Sequence, residues 1–444
     1  MVQPIVSGEA DLVLRDGLLA DGRRVDIFVR GGRIARIAPR HDNAAPAMAE
    51  ERGKQVTTGE DRRGQSSPEE DLGGRLVLPS FVDLHMHLDK AFSLELTRNE
   101  SGTLEEAIQR FGEVHPRLSY QSYVERAERT LRLCLAAGTT AVRTHVNTYP
   151  PSATAVQPVD ALLEVRERLR EVMEIQIVLL PVENIAHDRA LYLLCEDYLR
   201  RGVDALGGAP ALDPDPSGMI RATFELACRL DRAVDLHIDE TDDPGVCTLR
   251  EVADLTIQCG YQGRVVAGHC CSLAAMDDAS AARVIERVAA AGITVVTLPS
   301  CNLYLQGRRD RHPVRRGLTR VKELAAAGVN VAAASDNIRD PFNPFGRGDL
   351  LHIADLLAHA AHLGAPHEQA LARDAIGANP RACLREQDPA PLRGGLPREG
   401  DPADLAVCAT GSVEDLIAAQ PVRSLVLHRG RVVARTQTSA ETAF

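Results

Sequence analysis

The clearest chemical signal in this sequence is a pair of histidines in His85-Met86-His87, which ends an apolar run at residues 76–85. We predict this run to be a β-strand, in which every second side chain projects from the same face, so both imidazoles would point toward one region. Two neutral imidazoles placed in this way can share a divalent metal ion. The pair therefore predicts a metal site, and partly buried structural histidines are the alternative interpretation.

Three further titratable residues stand at the ends of later apolar runs: His237 in LHIDE, His269 in VVAGHCC and Asp336 in AAASDN. Barrel enzymes place their active sites at the carboxyl ends of their strands. Packing alone does not explain a titratable residue at the end of a buried strand. We therefore expect these three side chains to lie close to His85 and His87.

The elements that must position these residues follow the pattern of repeated βα units, in which apolar runs alternate with longer amphipathic segments. Eight strands are predicted, at 76–85, 139–146, 175–181, 203–208, 233–239, 264–269, 293–299 and 329–336. Helices are predicted at 121–137, 159–173 and 281–291. Several helices end in Ala-Ala-Gly before the next strand, where glycine accepts the left-handed backbone that turns the chain back. The fold class is predicted to be α/β, with a (β/α)8 TIM barrel over residues 76–390.

The two ends of the chain have a different pattern. Residues 11–39 and 404–435 are short candidate strands separated by glycine and aspartate. We predict one small β-sandwich domain formed from both termini, with residues 1–75 and 391–444 as its two parts. Residues 40–74 are polar and charged and cannot bury much apolar surface, so they are predicted to be a flexible insertion.

Composition narrows the functional class. The 444 residues include 51 lysines and arginines and 62 aspartates and glutamates, a net charge of −11, without a long basic block. We therefore expect neither nucleic acid nor a membrane surface as a partner. The chain shows no secretory signal and no apolar run of about 18 residues, so we expect a cytoplasmic protein. Ten cysteines without paired spacing are expected to be reduced thiols.

Six motifs, in this order along the chain, resemble the amidohydrolase superfamily and, within it, the cytosine deaminase group. They are PSFVDLHMHLDK, VRTHVN, DLHIDETDD, GHCCSLAAM, NLYLQGRRDRHPVRRGLTRVKEL and SDNIRDPFNPFGRGDL. SDNIRD with PFGRGD is also similar to hydrolases that remove amino substituents from triazine rings. The resemblance extends from about Gly31 to Arg435. It implies a small heterocyclic substrate, and it allows a homo-oligomer, which many members form.

The resemblance also implies a metal site. One divalent metal ion, zinc or iron, would be bound by four residues, namely His85, His87, His237 and Asp336. Imidazole and carboxylate ligands suit both metals. The segments IQIVLLPVEN and VDALGG contain no lysine. The carboxylated lysine that bridges two metals in other branches of the superfamily is therefore missing, and a mononuclear site is favoured.

Three residues take catalytic roles by the same resemblance. Glu240 would carry a proton to the ring nitrogen, His269 would orient the attacking water or the substrate, and Asp336 would accept the proton of that water. The alternative for Glu240 is a solvated loop carboxylate like the neighbouring Asp239, and for His269 it is a hydrogen-bonded core histidine. His145 is interpreted as a supporting residue that holds a metal ligand or another neighbour. Asp89 and Lys90 are interpreted as a local ion pair.

The substrate pocket departs from the cytosine deaminase pattern. Leu104 and Gln306 match pocket positions of the family, but Val182 replaces a glutamine that binds the pyrimidine edge. Asn337 replaces an aspartate, and Phe342 replaces a tryptophan. Losing a hydrogen bond to the ring alters substrate preference, so cytosine itself is not expected to be the best substrate. A 5-substituted or otherwise modified cytosine, isocytosine and a triazine are the candidates.

The predicted function is that of a metal-dependent hydrolytic deaminase of a cytosine-like heterocycle, releasing ammonia. One alternative is an amidohydrolase that removes an N-alkylamino group from a triazine-type ring or opens a cyclic amide. An alternative of another class is a non-catalytic binding protein on the same fold.

Overall fold

Two eight-stranded sheets form the framework of the protein in the computed structural model, which describes residues 11–40, 68–151, 157–384, 395–439 and 441. The strands are β1 Leu12–Leu18, β2 Arg24–Arg30, β3 Arg33–Pro39, β4 Glu69–Asp71, β5 Leu76–Pro79, β6 Phe81–Met86, β7 Thr139–Thr148, β8 Glu174–Pro181, β9 Ala205–Leu206, β10 Ala233–Ile238, β11 Val265–His269, β12 Thr294–Thr297, β13 Asn330–Ala333, β14 Leu405–Cys408, β15 Arg423–His428 and β16 Arg431–Arg435.

The α-helices lie mainly between the strands of the second sheet. They are α1 Leu104–Val114, α2 Tyr120–Ala136, α3 Pro158–Leu169, α4 Arg189–Arg200, α5 Pro216–Arg229, α6 Thr248–Gln258, α7 Ser272–Ala275, α8 Asp278–Ala290, α9 Pro299–Leu305, α10 Val321–Ala326, α11 Leu350–Ala360, α12 Pro366–Asp374, α13 Ala378–Leu384 and α14 Asp415–Ala418. Within the described ranges, no helix combines the length and the apolar character that crossing a bilayer requires.

Strands β6 to β13 form a parallel sheet in which each strand pairs with the next one along the chain. The sheet closes on itself because Met86, at the end of β6, forms a parallel bridge with Asp336, just after β13. The backbone N–H of Asp336 donates to the carbonyl of His85 at 2.9 Å. The predicted (β/α)8 barrel is confirmed, and closure places His85 and Asp336 side by side.

A glycine shows how tightly the barrel is packed near its short strand β9. The predicted strand at 203–208 has only two residues in regular pairing, but the Gly207 N–H still donates to the carbonyl of Leu179 at 2.8 Å. A Cβ at Gly207 would lie 2.5 Å from the carbonyl oxygen of Asp235. Such an approach is too close for any side chain, so glycine is required at this position.

The predicted strand at 76–85 is in fact two strands that belong to different sheets. β5 pairs with β14 of the small domain, whereas β6 pairs with β7 of the barrel. The chain changes sheets at Pro79 and Ser80, and Pro79 cannot donate a backbone hydrogen bond to continue a ladder. Both halves are mainly apolar and largely buried, with Asp83 and His85 as the polar residues of β6, so the sequence pattern does not separate them.

The small domain is built from both ends of the chain, as predicted. Its sheet runs in the order β16-β15-β14-β5-β1-β2-β3, with β4 parallel to β1. Side chains from the N-terminal and C-terminal strands, including Leu14, Ile27 and Leu427, share one apolar core. Of the insertion predicted at 40–74 to be flexible, residues 41–67 lie outside the described residues. Its last part does not fit that prediction, because β4 is paired and Leu72 is buried.

Candidate active site

The four predicted metal ligands converge at the carboxyl ends of the barrel strands. His87 Nε2 lies 3.3 Å from Asp336 Oδ1 and 3.2 Å from His237 Nε2. His85 Nε2 lies 3.8 Å from the same carboxylate oxygen. The structure therefore brings together side chains that are separated by up to 251 positions in the sequence (336 − 85 = 251).

The chemistry of this cluster fits a divalent metal ion. Both ring nitrogens of His85 and both carboxylate oxygens of Asp336 are buried without a hydrogen-bond partner among the described residues. A buried polar group left in this condition costs about 1–3 kcal/mol. Three overlapping sets of three groups have donor atoms close enough to share one ion, and all three contain His85. They are His85 with His87 and Asp336, His85 with His237 and His269, and His85 with His145 and Asp235. The cluster can therefore hold a divalent metal, and its ligand types suit zinc and iron.

The protonation state of the histidines favours metal binding as well. Burial lowers the pKa of His85, His87 and His237 well below the usual value, and the neighbouring imidazoles lower it further. The charge of Lys90 adds to the lowering of the pKa for His87 and His237. Neutral imidazole is the form that binds a metal. Burial raises the pKa of Asp336, and a bound cation would act in the opposite direction by favouring the carboxylate.

Glu240 and His269 stand together beside this cluster. Glu240 Oε1 lies 3.4 Å from His269 Nδ1, and the Asn302 amide lies 3.0 Å from the same ring nitrogen. With Nδ1 accepting from Asn302, the neutral ring carries its proton on Nε2, which has no partner among the described groups. Burial raises the pKa of Glu240 well above its usual value and lowers the pKa of His269 to about 3. The pair offers a buried carboxyl group and an N–H donor.

The backbone at two of these residues is strained. His269 has φ 66° and Asp336 has φ 58°, both in the left-handed region that non-glycine residues rarely adopt. Each such residue costs about 1–3 kcal/mol and is retained where the surrounding structure requires it. The turn occurs directly at or after the strand end and directs the side chain toward the cluster rather than along the strand.

Of two predicted interpretations of neighbouring aspartates, that of Asp239 needs correction and that of Asp89 is confirmed. Asp239 is not a solvated loop carboxylate, because it is buried and accepts from the N–H and hydroxyl of Thr248 and from the N–H of Leu249 at the start of α6. Asp89 does pair with Lys90, with Nζ 3.2 Å from Oδ2. Lys90 Nζ also lies 3.1 Å from His87 Nδ1 and 2.8 Å from the amide oxygen of Asn147.

Lys90 is thus a residue of the site that the sequence interpretation missed. It is buried, it lines the same cavity as His87, and it contacts the ring nitrogen of His87 that faces away from Asp336. The signal that could have found it is its spacing, because it follows His87 by three residues in HLDK.

A buried polar network lies next to the four predicted metal ligands His85, His87, His237 and Asp336, which we call the metal-ligand cluster. The ring of His145 stacks on that of His85 at a centroid distance of 4.0 Å, and His145 Nε2 is 3.4 Å from Asp235 Oδ1. Arg143 donates to the other oxygen of Asp235 at 3.0 Å. His145 therefore contacts a predicted metal ligand directly, and its supporting role stays a prediction.

A cavity of about 550 Å³ opens onto these groups. Of the predicted substrate-binding residues, Leu104, Val182, Asn337 and Phe342 line it, together with Glu240, His269 and the metal-ligand residues His87, His237 and Asp336. Gln306 does not, because its side chain contacts the backbone carbonyl of Glu240 at 3.5 Å. Gln306 therefore touches the segment that carries Glu240 instead of the cavity.

Comparisons with known proteins confirm the resemblance seen in the sequence. A pterin deaminase from Rhizobium rhizogenes is 34% identical over 371 residues, covering 82% of this chain and 82% of that protein. The crystal structure of 5-methylcytosine deaminase from Klebsiella pneumoniae liganded with phosphonocytosine superposes with a TM-score of 0.84 at 28% identity, covering 97% of this chain and 100% of that one. N-isopropylammelide isopropylaminohydrolase from Burkholderia multivorans gives a TM-score of 0.78 at 27% identity, covering 96% and 98%. The model of the amidohydrolase family matches residues 119–434, which is more than half of the sequence, and the chain belongs to this family.

Proposed function

We propose that the protein is a metal-dependent hydrolytic deaminase of a cytosine-like nitrogen heterocycle. Its substrate carries an amino group on a ring carbon next to a ring nitrogen, and the products are the oxo compound and ammonia. The observation that carries this proposal is the position of Glu240 and His269, which face the four-residue metal-ligand cluster in one cavity. Two of the similar proteins are named as deaminases, of pterin and of 5-methylcytosine, and both compounds contain such a ring.

Each residue of the site has a separate role in this reaction. His85, His87, His237 and Asp336 would hold the metal, which would supply a water of lowered pKa. Asp336 accepts a proton from the attacking water, and Glu240 donates a proton to the ring nitrogen beside the attacked carbon. The N–H of His269 binds the oxygen that develops negative charge. A carbon–oxygen bond forms and the carbon–nitrogen bond breaks. Of the two water protons, one completes the leaving ammonia and the other replaces the proton that Glu240 gave to the ring nitrogen.

The pocket supports a ring other than unmodified cytosine. Val182 offers no hydrogen bond to a pyrimidine edge. The Asn337 amide donates one of its two N–H groups to Asp340 at 2.8 Å. Phe342 is buried in the pocket wall and provides an apolar face. A site with fewer polar contacts to the ring edge discriminates less against substituted rings.

A second candidate is removal of an N-alkylamino group from a triazine-type ring. It is favoured by the similarity to N-isopropylammelide isopropylaminohydrolase over nearly the whole chain. The same residues would serve, with an alkylamine as the leaving group in place of ammonia.

The test is product analysis with purified, metal-loaded protein and a panel of cytosine, 5-methylcytosine, isocytosine, pterin and N-isopropylammelide. We expect ammonia from at least one amino-substituted pyrimidine ring. Isopropylamine without ammonia would support the second candidate instead. A metal-loaded protein that releases neither product but binds a ring would support the non-catalytic interpretation and refute the proposal.

A further inference from the structure

We infer that the cavity contains a second, apolar subsite for a neutral substituent of the substrate, so that the preferred substrate is larger than one six-membered ring. This inference rests on the proposed deamination. Its first support is a set of three large apolar side chains that stay exposed at the cavity, Ile108 at 44%, Val182 at 41% and Leu212 at 57%. We call these three residues the apolar rim.

The apolar rim comes from three separate segments of the chain. Ile108 lies on α1, Val182 follows β8, and Leu212 lies between β9 and α5. Exposed apolar side chains that are scattered singly need no explanation, but their convergence on one cavity marks a binding surface. The side chains of Leu104 and Met219 also line the cavity and add to its apolar surface.

The size of the cavity also leaves room for a larger occupant. Pockets of about 300–1,000 Å³ enclose drug-sized ligands, and this cavity measures about 550 Å³. A single heterocycle held between Glu240 and His87 would occupy only the catalytic end. The remaining volume is the part lined by the apolar rim.

The charges at this part of the cavity select a neutral substituent. Glu105 and Asp213 are the acidic groups that line the cavity away from the catalytic end, and both would repel an anionic substituent. Lys90, the basic group of the lining, is already held by Asp89, Asn147 and His87. It is therefore not free to pair with a distant carboxylate of the substrate.

The apolar rim is held in place by polar contacts behind it. At the start of α1, the N–H of Glu106 donates to the Thr103 hydroxyl at 3.3 Å, and the Glu106 carboxylate accepts from the N–H of Ser101 at 2.6 Å. Beside Leu212, Asn184 donates to Asp213 at 2.9 Å. A preformed apolar surface binds a ligand more tightly, because few side chains or loops have to become ordered on binding.

The test compares four compounds with the same amino-bearing ring edge, namely isocytosine, pterin, 6-phenylpterin and pterin-6-carboxylate. Ammonia release is measured with the metal-loaded protein. We expect kcat/KM to be about tenfold or more higher for 6-phenylpterin than for isocytosine, with pterin between them and the carboxylate below pterin. Equal values for all four, or a preference for the carboxylate, would overturn the inference while leaving deamination intact.

Two variants assign the preference to the apolar rim. Ile108→Ser and Leu212→Ser should raise KM for 6-phenylpterin about tenfold and lower its advantage over isocytosine. Leu193→Ser is the matched control, because Leu193 is an equally exposed leucine on α4 that does not line the cavity, and it should leave the ratio unchanged. An unchanged ratio in both rim variants would also overturn the inference. No ammonia from any of the four compounds would overturn the inference, and it would count against the proposed deamination itself if cytosine and 5-methylcytosine also released none.

Discussion

Replacing Glu240 with glutamine isolates the proton transfer in the proposed reaction. The side chain is only 11% exposed, and its Oε1 has no hydrogen-bond partner among the described groups. Glutamine has nearly the same size and can keep the approach to His269. The substitution therefore removes an exchangeable carboxyl proton without opening a cavity or disturbing the metal-ligand cluster.

The size of the effect follows from the role assigned to Glu240. A positioned general acid or base contributes roughly 10²–10⁴-fold to the rate. At about 1.36 kcal/mol for each factor of ten, this corresponds to about 3–5 kcal/mol of transition-state stabilisation. We expect kcat of Glu240→Gln to fall by that factor, because the ring nitrogen then lacks its proton donor.

The assay is steady-state ammonia release, read together with metal content and the melting temperature. Glu183→Gln is the control, because Glu183 is an exposed carboxylate two residues beyond β8 that does not line the cavity, and its activity should match that of the parent. If Glu240→Gln binds metal, melts with the parent and retains kcat within a factor of ten, Glu240 does not carry the proton.

Three further predictions concern the metal, the substrate edge and the small domain. Removal of the metal by a chelator should abolish ammonia release. It should also lower the free energy of unfolding by about 2.7 kcal/mol relative to protein with free metal at about a hundred times its Kd. Adding back zinc or ferrous iron separately, with metal analysis, should show which one restores activity at one ion per chain. Val182→Gln should raise kcat/KM for cytosine by up to about tenfold relative to pterin, the value of one restored hydrogen bond. At the junction of the domains, burial alone would raise the pKa of Asp404. A hydrogen bond from His428 and the charge of Arg381 lower it by more, so that the pKa is about 2. This lowered pKa stabilises the fold by about 2 kcal/mol above pH 3.8, and the contribution is lost as the pH falls through 2. Urea titrations should therefore show that the difference in unfolding free energy between the parent and Asp404→Asn shrinks over that pH interval.

The fold was largely predictable because its strands are nearly continuous apolar runs. Parallel barrel strands are buried on both faces and stand out against the amphipathic helices between them. The same property hid the border between the domains, since β5 and β6 follow each other in one mainly apolar run but belong to different sheets. Only the pairing partners distinguish them, and pairing between distant segments is not encoded in local hydrophobicity.

The candidate site was predictable where residue type and position at a strand end were enough. His85, His87, His237 and Asp336 were placed by the rule that parallel strands present their carboxyl ends at one face. Lys90 was missed because its significance depends on the direction of its side chain after the strand has ended. Asp239 was misread because its capping contact with Thr248 depends on where α6 begins in space.

The energetic costs at the centre of the barrel connect these observations. His269 and Asp336 carry both unpartnered buried atoms and left-handed backbone, each of which costs about 1–3 kcal/mol. A fold maintained for stability alone would be better served by apolar residues in relaxed conformations at these positions. One cation shared by Asp336 and the three imidazoles would satisfy the ligand atoms together, and a substrate oxygen would satisfy the N–H of His269. The same arrangement thus explains why both costs occur together in His269 and Asp336, at strand ends that face the cavity, where binding can offset them.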